Sequence, residues 1–215
     1  MELPTRPWDR DDDLLARTRA DGTARVRVYR YDEVAVVIGR GGHQDRELRG
    51  DNIARDGVPL YRRPGGGCAV VLDPGNLIVS LALPLPGIGH IRTAFDAVTA
   101  WMIDGLAAAG VADVVQRGVS DLVIAERKIG GSCVYRTRGL LYYSTTVLID
   151  QNMPLVGRYL LHPPREPEYR RGRPHDAFMG SLKSLCGVNL DSDFPARLNS
   201  ILANDLSRLL LFSDN

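Results

Sequence analysis

Of the 27 basic residues in this 215-residue chain only Lys128 and Lys183 are lysines; all the others are arginines. Lysine offers what arginine does not: a compact ammonium that can follow a moving charge, and an amine whose pKa responds to its surroundings. Lys128 opens the run Lys128-Ile129-Gly130-Gly131-Ser132-Cys133, so one of the two retained lysines sits beside a glycine pair. A second glycine-rich stretch lies upstream, Arg62-Arg63-Pro64-Gly65-Gly66-Gly67-Cys68, followed by an apolar run and the turn Asp73-Pro74-Gly75-Asn76. Three glycines remove every Cβ from a short loop and let backbone N–H groups approach an anion. Arginine forks suit phosphate or carboxylate, and the asparagine amide both donates and accepts. An anionic ligand with a polar group is the natural guest of such a loop, with Lys128 brought to it from later in the chain.

A glycine triplet alone would mark only a turn; the paired guanidiniums and the second turn give it chemistry. The three cysteines, Cys68, Cys133 and Cys186, lack metal-ligand spacing and form no obvious disulfide framework, and no metal site is expected. They read as small buried hydrophobes. Cys68 and Cys133 fall inside the glycine-rich segments, which keeps a reactive thiol open as an alternative.

The length fits one domain, or one domain with a small appendage. A net charge of +1 argues against a general nucleic-acid binder. Apolar runs such as Leu77 to Leu85 are far too short to span a bilayer, and the N-terminal stretch is dense in charge rather than apolar. The expected location is the cytoplasm, with neither nucleic acid nor membrane as a partner.

The elements that must position these residues are legible in outline. A helix is expected from Pro7 to Ala20, then strands Ala24 to Tyr31 and Val34 to Ile38 joined as a hairpin. Gln44 to Asp56 reads as a surface helix stopped by Gly57. Strands Val58 to Arg62 and Cys68 to Leu72 flank the glycine loop, and Asn76 to Leu83 is the next strand, followed by a loop around Pro84, Pro86, Gly87 and Gly89. Ile91 to Ala109 carries Ile91, Phe95, Val98, Met102 and Leu106 on one face, which predicts the principal helix, stopped by Gly110. Strands Val111 to Arg117 and Val119 to Ala125 follow. The glycines after Lys128 mark a strand that another backbone or a ligand approaches closely, and Leu140 to Ile149 completes a meander. Met153 to Leu161 reads as a short helix, His162 to Arg173 as a surface loop, and Phe194 to Phe212 as a helix with Asp193 near its start. The sum is an α+β fold whose mixed or antiparallel β-sheet is packed by helices.

With the glycine loop and Lys128 placed, the chain resembles the lipoate-protein ligase A family, within the superfamily of biotin and lipoate ligases and octanoyltransferases. Four segments match in order: Val36 to Arg40, Arg62 to Asn76, Ser120 to Val123, and Arg127 to Ser132. The resemblance implies a biotin/lipoate protein ligase catalytic-domain-like fold over residues 1–215, with 162–215 as a basic loop and C-terminal helical extension and no separate C-terminal accessory domain. It implies ATP-dependent activation of lipoate to lipoyl-AMP, with Mg²⁺, and transfer of the lipoyl group to a lysine of a lipoyl-domain acceptor protein, with an accessory ligase subunit as a further partner. Lys128 then resembles the family's active-site lysine. Arg63, Gly65, Gly66, Gly67, Cys68, Asn76, Asp121, Gly131 and Ser132 resemble residues that line the substrate and adenylate region. The chain departs from the pattern at Gly65 and Cys68, which shift the glycine triplet by one residue, and at Tyr143-Ser144-Thr145, where many members carry His-Gly-Thr.

Two other readings stand beside this one. An octanoyl or lipoyl transferase would take its acyl group from a carrier protein or lipoyl protein, either with Cys133 or Cys186 as nucleophile or by direct aminolysis; a binding subunit without catalysis would not need Lys128. The arginines of the loop, Arg165, Arg170, Arg171 and Arg173, together with Lys183, suggest a basic face that closes over phosphates or meets an acidic acceptor.

Overall fold

A computed structural model describes residues 2–85, 91–187 and 190–210. In chain order the elements are β1 (Arg6–Pro7), α1 (Asp12–Asp21), β2 (Arg25–Arg30), β3 (Ala35–Ile38), α2 (Gln44–Glu47), α3 (Gly50–Asp56), β4 (Leu60–Arg62), β5 (Val70–Leu72), β6 (Asn76–Pro84) and α4 (Ile91–Ala108). The remainder comprises β7 (Val115–Arg117), β8 (Asp121–Ile124), β9 (Arg127–Thr137), β10 (Leu140–Leu148), α5 (Met153–Tyr159), a 3-10 turn at Glu168–Arg170, α6 (His175–Phe178), α7 (Leu182–Cys186), α8 (Phe194–Asn204) and α9 (Ser207–Leu210). The larger sheet is antiparallel, in the order β2-β6-β10-β9-β8-β7. The smaller is mixed, in the order β1-β4-β3-β5, with β4 parallel to both β1 and β3.

β6 is apolar on both faces and buried along nearly its whole length, which makes it an inner strand. One face of the larger sheet packs Leu77, Val79, Leu81, Leu141 and Tyr143 against Val98, Trp101 and Met102 of α4 and Leu198 and Leu202 of α8. The 3.6-residue spacing in α4 therefore does what its pattern predicts. The two helices approach closely because Gly105 leaves room for the Leu202 side chain. The expected C-terminal helix is interrupted after Asn204 and resumes at Ser207. The end of that prediction, and the loop at Pro86, Gly87 and Gly89, lie outside the described residues.

Two expectations fail here. The predicted hairpin between the second and third strands does not form: β2 pairs with β6 in the larger sheet, whereas β3 lies between β4 and β5 in the smaller. All four residues of β3 are buried, and a strand apolar on both faces requires neighbours on both edges and cover on both sides. An edge strand that alternates valine and arginine cannot supply that. The N-terminal helix begins five residues later than predicted. Trp8 is drawn away by stacking on Tyr31 (5.8 Å) and an edge contact with Tyr61 (5.6 Å), and its N–H donates to the Arg62 carbonyl.

Asp11 then fastens α1 to the larger sheet. Its carboxylate is 3 % exposed and accepts hydrogen bonds from Arg27, Ser80 and Tyr142, beside the apolar anchors Leu14 and Leu15. Replacing Asp11 with alanine leaves the Ser80 and Tyr142 hydroxyls with only each other and takes one acceptor from Arg27, which keeps Asp13 and the Arg10 carbonyl. Arg27 remains 32 % exposed, so the expected loss in urea denaturation is about 2–4 kcal/mol, below the upper range for a fully buried pair. A loss under about 1 kcal/mol would mean that Leu14 and Leu15 alone hold the helix.

Candidate active site

β8 and β9 are joined through Ala125 and Glu126, whose φ angles are 47° and 62°. With Ile124 paired to Arg127, this is a two-residue hairpin of the type that needs positive φ at both central positions. Neither residue is glycine or asparagine, so the turn carries strain of about 1–2 kcal/mol per residue. It is tied down from outside: Arg173 donates to the Glu126 carbonyl (3.1 Å) and Arg117 pairs with the Glu126 carboxylate. The strained turn delivers Arg127 and Lys128 at the start of β9.

Gly131 lies three positions after Lys128, an odd spacing that would place them on opposite faces of a regular strand. The register slips between Leu122 and Val123: Val123 pairs with Lys128 but Leu122 with Gly130, which leaves Ile129 as the extra residue of a bulge. The bulge returns Lys128 to the face that Gly131 shares with its partner Asp121. There Lys128 Nζ lies 2.7 Å from Asp121 Oδ1, with the side chains 26 % and 14 % exposed. A Cβ on Gly131 would fall 2.8 Å from Lys128 Nζ, so the lysine crosses its own strand where that side chain is missing.

The glycine loop meets the same face two residues along. It passes over the end of β3, where Gly39 sits so close to the Gly67 carbonyl that no Cβ fits, and the Arg40 N–H donates to the Gly65 carbonyl (2.9 Å). A Cβ on Gly65 would lie 2.7 Å from Cys133 Sγ, so the loop docks directly onto β9. Gly67 has φ 91°, a conformation suited to glycine. Arg63 fastens the loop from within by donating to the carbonyls of Val37, Gly66 and Cys68. Arg62 does the same for Gly39, Arg40 and Gly42. Both guanidiniums expected to face an anion are therefore committed to backbone carbonyls, and their role is to shape the loop. Glu47, buried on α2, accepts from the His43 and Ala69 N–H groups and secures the loop's exit; no spacing in the sequence marks it.

The structure does not gather all of the expected residues. Ser132 alternates to the opposite face, where its hydroxyl meets Tyr143 Oη at 2.8 Å. Asn76 is fully buried and closes a turn with Asp73 and Gln151. Cys186 packs at the edge of the helical core. Cys68 lies beside the loop, with Sγ 3.6 Å from the Arg165 carbonyl. Burial pushes the Cys133 thiol pKa up despite the Arg63 guanidinium nearby, and burial followed by the Asp113 charge pushes Cys186 up.

Residues 162–173, read from sequence as a surface loop, belong instead to a strap over 162–178 with internal structure. Arg170 is 4 % exposed, lies over the Phe178 ring at 4.7 Å and donates to the Arg173 carbonyl. Arg173 stacks on the same ring from 5.2 Å and bonds the Tyr169 carbonyl, while Lys183 pairs with Asp150. Stacking and hydrogen bonding thus remove three cations from the proposed basic face. The strap reaches both halves of the site, touching Cys68 through Arg165 and Asp121 through the Tyr169 hydroxyl (2.8 Å).

A glycine loop docked on a sheet and an ammonium held by a carboxylate thus share one face of β9. The family model for the lipoyl protein ligase A/B catalytic domain matches residues 4–197, and the chain belongs to that family. A probable lipoate-protein ligase A of Mycoplasma genitalium is 29 % identical over 147 residues, 68 % of this chain and 43 % of the relative. The chain thus spans under half the length of the curated relatives it matches. Among solved structures, a bipartite lipoate protein ligase of Thermoplasma acidophilum, described with its E2 lipoyl domain, superposes with a TM-score of 0.74 at 22 % identity, covering 97 % of this chain and 82 % of that one. A lipoate-protein ligase A bound with ATP gives 0.71 at 20 % identity, covering 97 % and 84 %. These likenesses show the fold, the expected α+β arrangement. No helix among the described residues is long and apolar enough to cross a membrane.

The two adjacent glycines of β9 should respond oppositely to alanine. At Gly130 the added Cβ meets the Thr146 backbone carbonyl at 2.6 Å, and urea denaturation should record a loss of about 1–3 kcal/mol. At Gly131 it meets the movable end of Lys128; stability should change by less than about 1 kcal/mol, while Lys128 becomes more reactive toward an amine-directed ester.

His175 gives the strap a pH dependence. Its Nε2 donates to the Leu161 carbonyl (3.0 Å) and its Nδ1 accepts from Arg170 (3.5 Å), a pairing that only the neutral ring makes. Burial holds its pKa below the ordinary value. The folded state therefore takes up this proton at lower pH than the unfolded chain. The stability it contributes is complete above about pH 6.5 and declines as pH falls through that value toward the lowered folded pKa. Hydrogen exchange corrected for intrinsic rates should show the amides of residues 162–178 opening more at about pH 5.5 than at about pH 7.5, and His175→Gln should flatten that difference.

Proposed function

We propose that the chain activates lipoate with ATP to lipoyl-AMP and transfers the lipoyl group to a lysine of a lipoyl-domain acceptor protein. The observation that carries this reading is the Lys128–Asp121 pair on the face of β9 where Gly65 docks on Cys133. In the first step a lipoate carboxylate oxygen forms a bond to the α-phosphorus of ATP, the α–β bridging bond breaks, and pyrophosphate leaves. Mg²⁺ enters with the nucleotide. In the second step the acceptor amine attacks the acyl carbon, AMP leaves with the bonding electrons, and the nitrogen gives up a proton. Negative charge develops at the phosphoryl oxygens and then at the acyl oxygen, so a fixed ammonium and backbone N–H donors stabilise both transition states. Asp121 keeps that ammonium in place, and the proton given up by the amine passes to solvent.

The competing transferase mechanism, in the form that uses a thiol nucleophile, needs an accessible thiolate. The raised pKa values of Cys133 and Cys186 weigh against both named candidates. The bipartite relative supports including a separate accessory subunit among the partners to be supplied.

The test is the intact mass of an apo lipoyl-domain acceptor after incubation with the protein, lipoate, ATP and Mg²⁺, beside a tube holding octanoyl carrier protein without ATP. A lipoyl-sized gain only in the first tube is expected; a gain only in the second would replace the ligase reading with the transferase one. Lys128→Ala should lower the transfer rate by at least about a hundredfold with the fold intact, and Lys128→Arg should not restore it. A folded Lys128→Ala protein of full activity would overturn the assignment.

A further inference from the structure

Tyr169 has no place in the glycine-loop pattern, yet it completes the site. Its hydroxyl donates to Asp121 Oδ2 at 2.8 Å from 48 residues further along the chain, while Asp121 Oδ1 holds Lys128 Nζ at 2.7 Å. Both carboxylate oxygens are thus engaged, one by a phenol and one by the ammonium. A carboxylate with one neutral donor and one cation is fixed in rotation, because turning the group breaks both contacts at once.

The phenol is itself held. Its ring stacks on Phe178 with centroids 5.1 Å apart. Gly118, with φ 59°, sits where a Cβ would lie 3.9 Å from the Tyr169 ring and 3.2 Å from Pro167. The Tyr169 carbonyl accepts from Arg173 (2.9 Å), whose other donor reaches the Glu126 carbonyl in the strained turn before Lys128. The backbone after the strap continues the support: the Gly180 N–H donates to the Lys128 carbonyl at 2.9 Å, and Arg127 donates to the Met179 carbonyl. Side chain and main chain of Lys128 are therefore located by the same segment, one through Asp121 and the other directly. Burial, and then the neighbouring Asp121 charge, push the Tyr169 pKa up, which keeps the hydroxyl protonated and donating.

We infer that Tyr169 is a positioning residue: through Asp121 it sets where the Lys128 ammonium stands, and so couples the strap over residues 162–178 to the reacting centre. Its donation also takes up part of the Asp121 charge. Lys128 then remains available to a substrate carboxylate or acyl oxygen instead of being fully matched by its partner. The catalytic consequence rests on the ligase reading above; the structural coupling does not.

The experiment uses the fact that the chain has two lysines. Protein labelled with ¹³C,¹⁵N-lysine gives two side-chain signals, with Lys183 as the internal reference. In Tyr169→Phe the Lys128 signal should shift or broaden while that of Lys183 stays in place. In the transfer assay kcat should fall about tenfold, with KM for the acyl substrate changing less than about twofold. On an Asp121→Asn background, Tyr169→Phe should lower the rate by no more than about twofold further, because its effect passes through that carboxylate. A purely structural loss would add in full. An unmoved Lys128 signal, a full additional loss in the double variant, or faster transfer by Tyr169→Phe would each overturn the inference. Faster transfer would mean that the phenol merely occupies the place of the incoming amine. If the wild-type protein transfers no acyl group from any donor, the ligase reading falls while the Lys128 signal still decides whether Tyr169 positions the ammonium.

Discussion

The irregularities of β8 and β9 converge on one contact, the 2.7 Å pair between the Lys128 ammonium and the Asp121 carboxylate. Such a partly buried pair adds little net stability, because desolvation of two charges offsets most of their attraction. Yet the chain builds for it a strained two-residue turn, a bulge that moves one residue to the other face, and a glycine where a side chain would collide with the lysine. Strain and disruption of that kind persist only where the surrounding structure over-determines them, and they concentrate at functional sites.

The glycine loop is organised differently. Its shape is made almost entirely by backbone and guanidinium. Gly39 and Gly65 permit approaches that any Cβ would block, and Arg62 and Arg63 distribute their donors among six different carbonyls. The loop therefore arrives at β9 as a preformed object. Preorganisation of this kind suits the proposed chemistry, since donors already in place need not reorganise during a reaction.

Between these two parts runs the strap. Arg170 and Arg173 both lie over the Phe178 ring, and the segment touches the glycine loop at Arg165 and the acidic partner of the lysine at Tyr169. A cationic stretch that looks solvent-facing in sequence is thus part of the support for Asp121 and the glycine loop. Arginine suits this use because its planar cation stacks on rings and remains weakly hydrated.

Much of this was legible before any coordinates. The scarcity of lysine singled out Lys128, the glycine runs marked the two close approaches, and the helical spacing from Phe95 to Leu106 gave the main helix of the core. These are local or compositional signals, governed by propensity, period and missing Cβ atoms, which a single segment carries by itself. What only the tertiary structure decided was pairing. β2 and β3 part into different sheets because β3 needs burial on both faces; Ser132 turns away from Lys128 because strand alternation follows the register; and the bulge at Ile129 reverses that alternation for the lysine alone. Tyr169 and Glu47 escaped because a decisive partner of each, Asp121 and Ala69, lies far along the chain, and no local pattern encodes a contact whose other half is set by how the sheet and the strap close on each other.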